Sequence, residues 1–437
     1  MSARPVGAGE RFAYVNARLL DPATGLDAPG ALLTDGGVIA DMGPRLFHDG
    51  KPAGVTLIDC DGQCLAPGLV DIRVSLGEPG AEHKETFATG SQAAAAGGVT
   101  TMVCTPDTDP PVDDVSVLEF MTRRAHEGAV VNVRTMAAIT KGMAGRQMSE
   151  MGMLAAAGAV GFTDGYRSIA DAQVMRRALS YATTFGLLIC HHTEVPELST
   201  GVMNEGELAT RLGLAGISVQ AEAIMVERDM RLVELTGGRY HAAGISTGAA
   251  AEVIRAAKKR GLKVTCAVSA AHFALNENEV GNYRTFAKLT PPLRSEDDRK
   301  AIVEALRDGT IDIVTSAHTP EDPEAKRVPF AQAAPGAVGL ETLLAACLQQ
   351  AHNGRVALLD ILRRVTVAPA ELLGLPAGRL ARGAAADLVL FDAGAPWKVD
   401  AEKFRSKAKN SPFDGHLMQG RVLRTVVGGR TVFAAGT

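Results

Sequence analysis

The middle of the chain alternates apolar, strand-like segments with longer helical stretches. Eight segments are predicted to be strands: 69–76, 99–105, 130–139, 159–163, 187–192, 239–245, 263–268 and 311–316. Helices are predicted between them at 85–96, 115–127, 147–157, 169–185, 219–236, 249–260 and 296–307, with two more at 340–352 and 357–364. Eight strands that alternate with helices predict an α/β chain folded as a (β/α)8 TIM-type barrel.

Both ends of the chain show a different pattern, in which short strands are separated by turn residues. The predicted strands are 12–20, 30–33, 38–41, 387–391 and 422–433. Because both flanks are rich in strands, the simplest arrangement is one small β-sandwich built from both termini, with the barrel inserted in its middle. The predicted domains are therefore 1–65 with 378–437 for the sandwich, and 66–377 for the barrel.

Composition narrows the class of protein further. The 437 residues are 46% hydrophobic and 22% charged, which is ordinary for a soluble globular protein. A net charge of −4 gives no overall attraction to nucleic acid or anionic lipid, and no apolar run is of transmembrane length. We therefore expect a cytoplasmic protein with no nucleic-acid or membrane partner. The six cysteines lie in apolar segments and are expected to be buried thiols: Cys60, Cys64, Cys104, Cys190, Cys266 and Cys347.

Candidate chemistry begins in the first predicted barrel strand, where residues 67–80 run from a buried strand into a loop. Arg73 and Ser75 are two residues apart, so their side chains share one face of that strand. With other motifs, this segment resembles the dihydroorotase family of amidohydrolases, whose members interconvert carbamoyl aspartate and dihydroorotate. The resemblance covers nearly the whole chain and rests on Asp71–Thr105 with Glu78-Pro79-Gly80 and His83-Lys84-Glu85-Thr86, Met203-Asn204-Glu205-Gly206, Arg239–Thr247, Pro291–Ser295 and Gly339-Leu340-Glu341-Thr342.

The resemblance implies where the family's metal site falls. Family members bind one or two divalent metals, which acidify a water and polarise the amide carbonyl. An arginine offers no lone pair to a metal, and a catalytic zinc uses three protein ligands. We therefore expect a vestigial site, with no metal cofactor and no confident catalytic residue. Of the six implied positions, two keep a ligand, Asp164 and His192, and four do not: Arg73, Ser75, Gly244 and Ala317.

Three implied substrate-binding positions are altered as well. The arginine of the first loop falls on Gly77, the asparagine of the second loop on Asp107, and the asparagine before the Pro-Pro pair on Thr290. Without these contacts the carboxylate of the family's substrate would be left unclamped, and Asp107 would repel it. The family reaction is therefore expected at or near background.

Two interpretations of the surviving ligands stay open. In an active enzyme with an atypical zinc site, a third ligand would come from His272 or His318, which also fall near strand ends. In a site without metal, Asp164 needs a cation, and Arg73 is the obvious partner because it occupies an emptied ligand position.

Three hypotheses on function follow. The first is a non-catalytic dihydroorotase-like protein of pyrimidine biosynthesis, since the family includes inactive relatives that assemble with aspartate carbamoyltransferase and stabilise it. Such a chain would form a homo-oligomer or a stable complex with that transferase. The second is an active dihydroorotase, or a related hydrolase of a hydantoin or allantoin ring. The third is a barrel whose emptied mouth binds an unrelated metabolite.

One charged run is not explained by the resemblance. Residues 402–409, Glu-Lys-Phe-Arg-Ser-Lys-Ala-Lys, are basic. A solvated face is the default interpretation of such a run, and a docking patch is the alternative.

Overall fold

Strands at both ends of the chain enclose a central run of strands and helices in the computed structural model, which describes residues 10–47, 50 and 53–436. Residues 1–9 of the predicted sandwich segment lie outside that part. The strands are β1 (Arg11–Asp21), β2 (Leu26–Asp35), β3 (Val38–Gly43), β4 (Thr56–Asp59), β5 (Cys64–Pro67), β6 (Leu69–Val74), β7 (Val99–Cys104), β8 (Asn132–Thr135), β9 (Leu188–His191), β10 (Met203–Asn204), β11 (Gly216–Ile217), β12 (Arg239–Ala242), β13 (Val264–Ser269), β14 (Ile313–Thr315), β15 (Leu388–Lys398), β16 (Leu417–Val427) and β17 (Arg430–Ala434).

Helices connect the barrel strands and begin at side chains that cap their free backbone N–H groups. Thr86 and Thr89 form a reciprocal capping box, and the side chains of Asp171 and Thr247 accept from N–H groups of the first turn. The helices are α1 (Phe87–Ala96), α2 (Val115–Gly128), α3 (Met151–Ala156), α4 (Ala172–Phe185), α5 (Glu207–Leu212), α6 (Val219–Thr236), α7 (Gly248–Lys259), α8 (Ala270–Ala274), α9 (Glu296–Arg307), α10 (Pro323–Lys326), α11 (Leu343–His352), α12 (Leu358–Arg363) and α13 (Val367–Leu373).

Parallel pairing closes the central strands into a barrel. One run of pairs is β6–β7–β8, and the other is β9–β12–β13–β14. The predicted strand at 159–163 is reduced to a bridge at Phe162, which joins Ala137 on one side to Ile189 on the other. The ring closes where Val74 bridges His318. The predicted barrel is confirmed, and its strand ends place the implied site at one mouth.

The two termini contribute to one connected sheet beside the barrel. Its strand order is β17-β16-β15-β5-β1-β2-β3, with β4 paired to β1. Tyr14, Leu32 and Leu388 belong to its own apolar core, which confirms the predicted sandwich beside the barrel. The single strand predicted at 422–433 is a hairpin instead, because Gly428 and Gly429 both adopt positive φ and turn the chain.

The interior of the barrel is filled by side chains of moderate size. Val70, Ile72, Val103, Met136 and Cys190 pack in a cluster of their own inside the ring. All six cysteines are buried and free, as predicted. Among the described helices, none combines the length and the hydropathy that a membrane span requires.

Candidate functional site at the barrel mouth

Arg73 lies at the centre of the implied metal site. Its side chain extends from the end of β6 into the ring and is only 5% exposed. Guanidinium Nη2 lies 3.3 Å from Nδ1 of His192. A Cβ atom added at Gly244 would stand 2.5 Å from Nη1. The guanidinium therefore occupies the room that any side chain at position 244 would need.

A tyrosine covers the same guanidinium. The Arg73 carbon Cζ lies 4.3 Å from the ring centroid of Tyr166, which is cation–π distance. The Tyr166 hydroxyl accepts a hydrogen bond from Thr319 Oγ1 at 2.8 Å. Tyr166 thus ties the loop after the fourth barrel position to the loop after β14, across the mouth.

Both ring nitrogens of His192 are engaged. Because Arg73 can only donate, Nδ1 must be the acceptor, so Nε2 carries the proton and donates to Glu194 Oε2 at 3.2 Å. Burial lowers the pKa of His192, and the charge of Arg73 lowers it further against the opposing effect of Glu194. The imidazole is therefore neutral, and it has no free lone pair for a metal.

Asp164 is satisfied by a different loop from the one expected. Its Oδ1 accepts from the backbone N–H groups of Ile139 at 2.9 Å and Thr140 at 3.0 Å, and its Oδ2 accepts from the Thr140 hydroxyl. Burial raises the pKa of Asp164, while these hydrogen bonds act against the rise. The predicted ion pair between Arg73 and Asp164 is wrong, because the N–H groups at 139–140 already enclose the carboxylate and Arg73 turns to His192.

Two of the other altered positions, Ser75 and Asp107, are hydrogen-bonded to each other. Ser75 Oγ donates to Asp107 Oδ2 at 2.6 Å, so a lost ligand position is bonded to a lost substrate position. Asp107 Oδ1 is buried and has no hydrogen-bond partner within the described part of the chain. Gly77 has φ +83°, and its carbonyl accepts from Ala81 N. Thr290 lies before Pro291, whose carbonyl is bonded to His272. These contacts leave no cation to clamp a substrate carboxylate at the three positions.

The two proposed third ligands are engaged elsewhere. Nδ1 of His272 lies 2.6 Å from Ser269 Oγ, and Nε2 lies 2.9 Å from the carbonyl of Pro291. Burial lowers the pKa of His272 to about 4. Nδ1 of His318 accepts from Gly339 N at 3.3 Å, which directs Nε2 towards Glu85 at 3.6 Å. His272 is therefore engaged at both ring nitrogens, whereas His318 is bonded at Nδ1 only and its buried Nε2 has no hydrogen-bond partner among the described residues.

The residues present do not fit the family's metal. Among the described residues, no group of three or more His, Cys, Asp or Glu side chains is placed to hold an ion. His192 has its only free lone pair committed to Arg73, both oxygens of Asp164 already accept hydrogen bonds, and an obligate cation lies beside His192 and Gly244. The absence of bound zinc itself stays a prediction.

Little space is left beside the guanidinium. A cavity of about 10 Å³ is lined by Arg73, Gly165, Cys190, His241 and Ala243. A buried water needs roughly 10–15 Å³. Burial and the charge of Arg73 lower the pKa of His241, which lines this cavity, to about 3. The inner part of the barrel mouth is therefore closely packed and carries the positive charge of Arg73.

Sequence reasoning missed three residues that complete this arrangement. Glu194 orients His192, Thr140 encloses Asp164, and Tyr166 stacks on Arg73. The contact between Glu194 and His192 could have been predicted, since the two residues are two positions apart and their side chains therefore lie on the same side of an extended chain. The role of Thr140 depends on a loop 24 residues from Asp164, and no local pattern announces it.

Comparisons with known proteins agree over most of the chain. The sequence pattern of the dihydro-orotase-like family matches residues 62–250, and that of an amidohydrolase family matches residues 345–433. A protein of Anaplasma phagocytophilum named dihydroorotase is 46% identical over 427 residues, which are 97% of this chain and 95% of the relative. A dihydroorotase of Wolbachia sp. subsp. Drosophila simulans is 44% identical over 98% of this chain and 96% of its own.

Solved structures show the same architecture. An L-hydantoinase (dihydropyrimidinase) from Arthrobacter aurescens is 25% identical and superposes with a TM-score of 0.87 over 98% of this chain and 96% of its own. A dihydropyrimidinase from Brevibacillus agri, 20% identical, superposes with a TM-score of 0.83 over 97% of this chain and 95% of its own, a likeness of fold alone.

Proposed function

Because this chain belongs to the dihydroorotase family, we propose that it serves pyrimidine biosynthesis in the cytoplasm as a member that does not hydrolyse a ring. One observation carries the proposal: the guanidinium of Arg73 fills the implied metal site between His192 and Gly244. A fixed cation there can neither bind a metal nor deliver a metal-activated hydroxide.

The second part of the proposal is that the folded chain supports aspartate carbamoyltransferase by binding it. Two exposed apolar side chains on the barrel surface support a binding role. Met153 is 63% exposed and Phe185 is 55% exposed, and the Phe185 ring lies 5.1 Å from that of Tyr181. A partner bound only in its folded state is stabilised by mass action, provided that a standard interface forms.

A second candidate is an active dihydroorotase with an atypical metal site. The names of the relatives favour it over the non-catalytic role. In that case His192 would have to release Arg73 and recruit His272 or His318. Each of those imidazoles would first break the contacts it makes now, to Pro291 and to Gly339. The likeness to an L-hydantoinase supports testing the hydantoin ring of this alternative, and allantoin is tested with it.

A rate measurement separates the two candidates. The chain, purified without chelator and with zinc added, is assayed with carbamoyl aspartate, dihydroorotate, hydantoin and allantoin. We expect background rates for all four, unchanged in Asp164→Asn. A rate that survives purification and falls at least about tenfold in a folded Asp164→Asn variant would establish the active candidate.

The binding role has its own test. Co-expression with the transferase of the same organism, followed by size-exclusion chromatography at micromolar concentration, should give one complex and a transferase that resists heat better than it does alone. Separate elution, with equal activity and heat stability of the transferase alone, would remove this part of the proposal.

A further inference from the structure

A cavity of about 370 Å³ lies at the seam between the barrel and the sandwich, and none of the implied site positions lines it. Its walls come from α1 and α11 of the barrel, from β15, β16 and β17, and from the basic run at 402–409. Small-molecule sites in proteins have volumes of roughly 300–1,000 Å³. The cavity is thus large enough for a ligand.

Aromatic side chains form part of the wall. Trp397, Phe404 and Phe433 line the cavity together with the buried Leu344 and Val422. Trp397 is held in place, since its Nε1 donates to the carbonyl of Gly420 at 2.9 Å. Rings of this kind bind planar heterocycles by stacking.

The rim of the cavity carries an excess of positive charge. Lys403 pairs with Asp400 at 3.0 Å, and the carboxylate of Glu341 accepts from Ser406 N at 3.1 Å. Arg405 and Arg421 also line the rim and are exposed, and in the described part of the chain neither guanidinium has a carboxylate within ion-pair distance.

A second groove continues the same surface. It has a volume of about 580 Å³ and shares Arg405, Phe433 and Ala434 with the first cavity. Arg424 adds a further cation there, and its Nη1 donates to Thr431 Oγ1. Arg421 lines the cavity, Arg424 lines the groove, and Arg405 lines both. The anionic group of a ligand whose ring lies on the aromatic wall would therefore face guanidinium groups.

We propose that this seam is a second ligand site, which takes a planar heterocycle that bears a phosphate or carboxylate, of the size of a nucleoside monophosphate. The ring stacks on Trp397 and Phe433, and the anionic group is bound by Arg405 and Arg421. The basic run at 402–409 is then a ligand-binding segment as well as a solvated face. The site is independent of what the barrel mouth does.

The chain contains a single tryptophan, and it lines the cavity, so its fluorescence reports on this site alone. The probes are uridine and adenosine monophosphate, the corresponding nucleosides, orotate as a heterocyclic carboxylate, and inorganic phosphate. We expect a saturable change with at least one nucleotide or with orotate at a Kd of about 1 mM or tighter. The nucleosides and phosphate alone should bind at least about tenfold more weakly. Tighter binding of a nucleotide than of orotate would identify the anionic group as a phosphate, and the reverse order would identify it as a carboxylate.

Variants locate the anionic group. Arg421→Gln and Arg405→Gln should each weaken binding about tenfold, while Lys300→Gln on α9, a cation 64% exposed on the barrel, should leave it unchanged. Circular dichroism and the melting temperature check that each variant is folded. No saturable change with any probe, equal binding of phosphate alone, or full binding by both folded arginine variants would overturn the proposal.

Discussion

Arg73 and Gly244 are complementary in shape, and this pairing can be tested by mutation. In Gly244→Ala the new methyl group would stand 2.5 Å from Nη1, so the buried guanidinium must shift from the position in which Nη2 contacts His192. We expect a loss of unfolding free energy on the order of 1–3 kcal/mol by urea denaturation. Gly161→Ala is the matched control, because its Cβ would meet Met136 at an ordinary 3.6 Å.

A double-mutant cycle isolates the contact itself. In an Arg73→Leu background the clash with Nη1 is absent, so Gly244→Ala should cost much less there than in the original chain. Equal costs in the two backgrounds would show that the guanidinium does not fill this space.

His272 predicts a pH dependence. Its folded pKa is about 4 and its ordinary value is 6.5, so the unfolded chain binds more protons between these values. The stability that the neutral imidazole contributes is complete above pH 6.5 and is lost as the pH falls. Relative to His272→Asn, the original chain should therefore lose about 2 kcal/mol of unfolding free energy between pH 7.5 and pH 5.

The control for this pH effect keeps the imidazole. Ser269→Ala removes the hydroxyl beside Nδ1 of His272 and should lower stability, yet it should keep most of the pH slope of the original chain. If His272→Asn and the original chain give parallel curves, the imidazole is not held neutral by burial.

At the scale of elements, the loop after the fourth barrel position closes the mouth through Tyr166. Tyr166→Ala should cost about 2 kcal/mol or more of unfolding free energy, because the stack on the buried guanidinium is lost. Tyr166→Phe keeps the ring and loses the bond from Thr319 and the long one to the carbonyl of Ala317, so it should cost less than half as much by urea denaturation. Equal costs would mean that the hydroxyl, not the ring, holds the loop.

Elements were predictable where local pattern and burial agree. Helices such as α6 and α9 begin and end at the predicted residues 219–236 and 296–307, since each starts at a capping serine and packs an apolar face. The strand predicted at 159–163 shrank to a bridge at Phe162. β4 and the short pair β10–β11 were missed, because their residues carry little pattern of their own and depend on pairing with distant strands.

For the candidate site, the sequence predicted which residues face the barrel mouth but not which residues they contact. Arg73 faces inward, as predicted, but not by simple alternation, since Val70 and Ile72 also face the interior and the pairing of β6 with β7 shifts register between Asp71 and Val74. The partner of Arg73 was not predictable from the sequence, because it depends on which donors the folded chain places beside Asp164 and His192. Backbone N–H groups at 139–140 enclose Asp164, and this leaves His192 as the acceptor for Arg73.

At the scale of the whole molecule, a supporting role requires a surface that binds. The exposed Phe185, which lies against the half-buried Tyr181, predicts that Phe185→Ser weakens the homo-oligomer or the complex with the transferase at least about tenfold, by light scattering over a concentration series. Leu417→Ser is the control, since Leu417 is 81% exposed on β16 of the sandwich. Equal association of both variants would place the interface elsewhere.

If Arg73 has replaced the metal, the purified chain should hold little zinc, and its zinc content can be measured directly. Protein prepared without chelator from zinc-supplemented cells is analysed by mass spectrometry of the elements, beside a family member that keeps the full ligand set. We expect zinc far below one per chain, and the same low zinc content in Asp164→Asn. Zinc close to one or two per chain, lost in a folded Asp164→Asn variant, would contradict it.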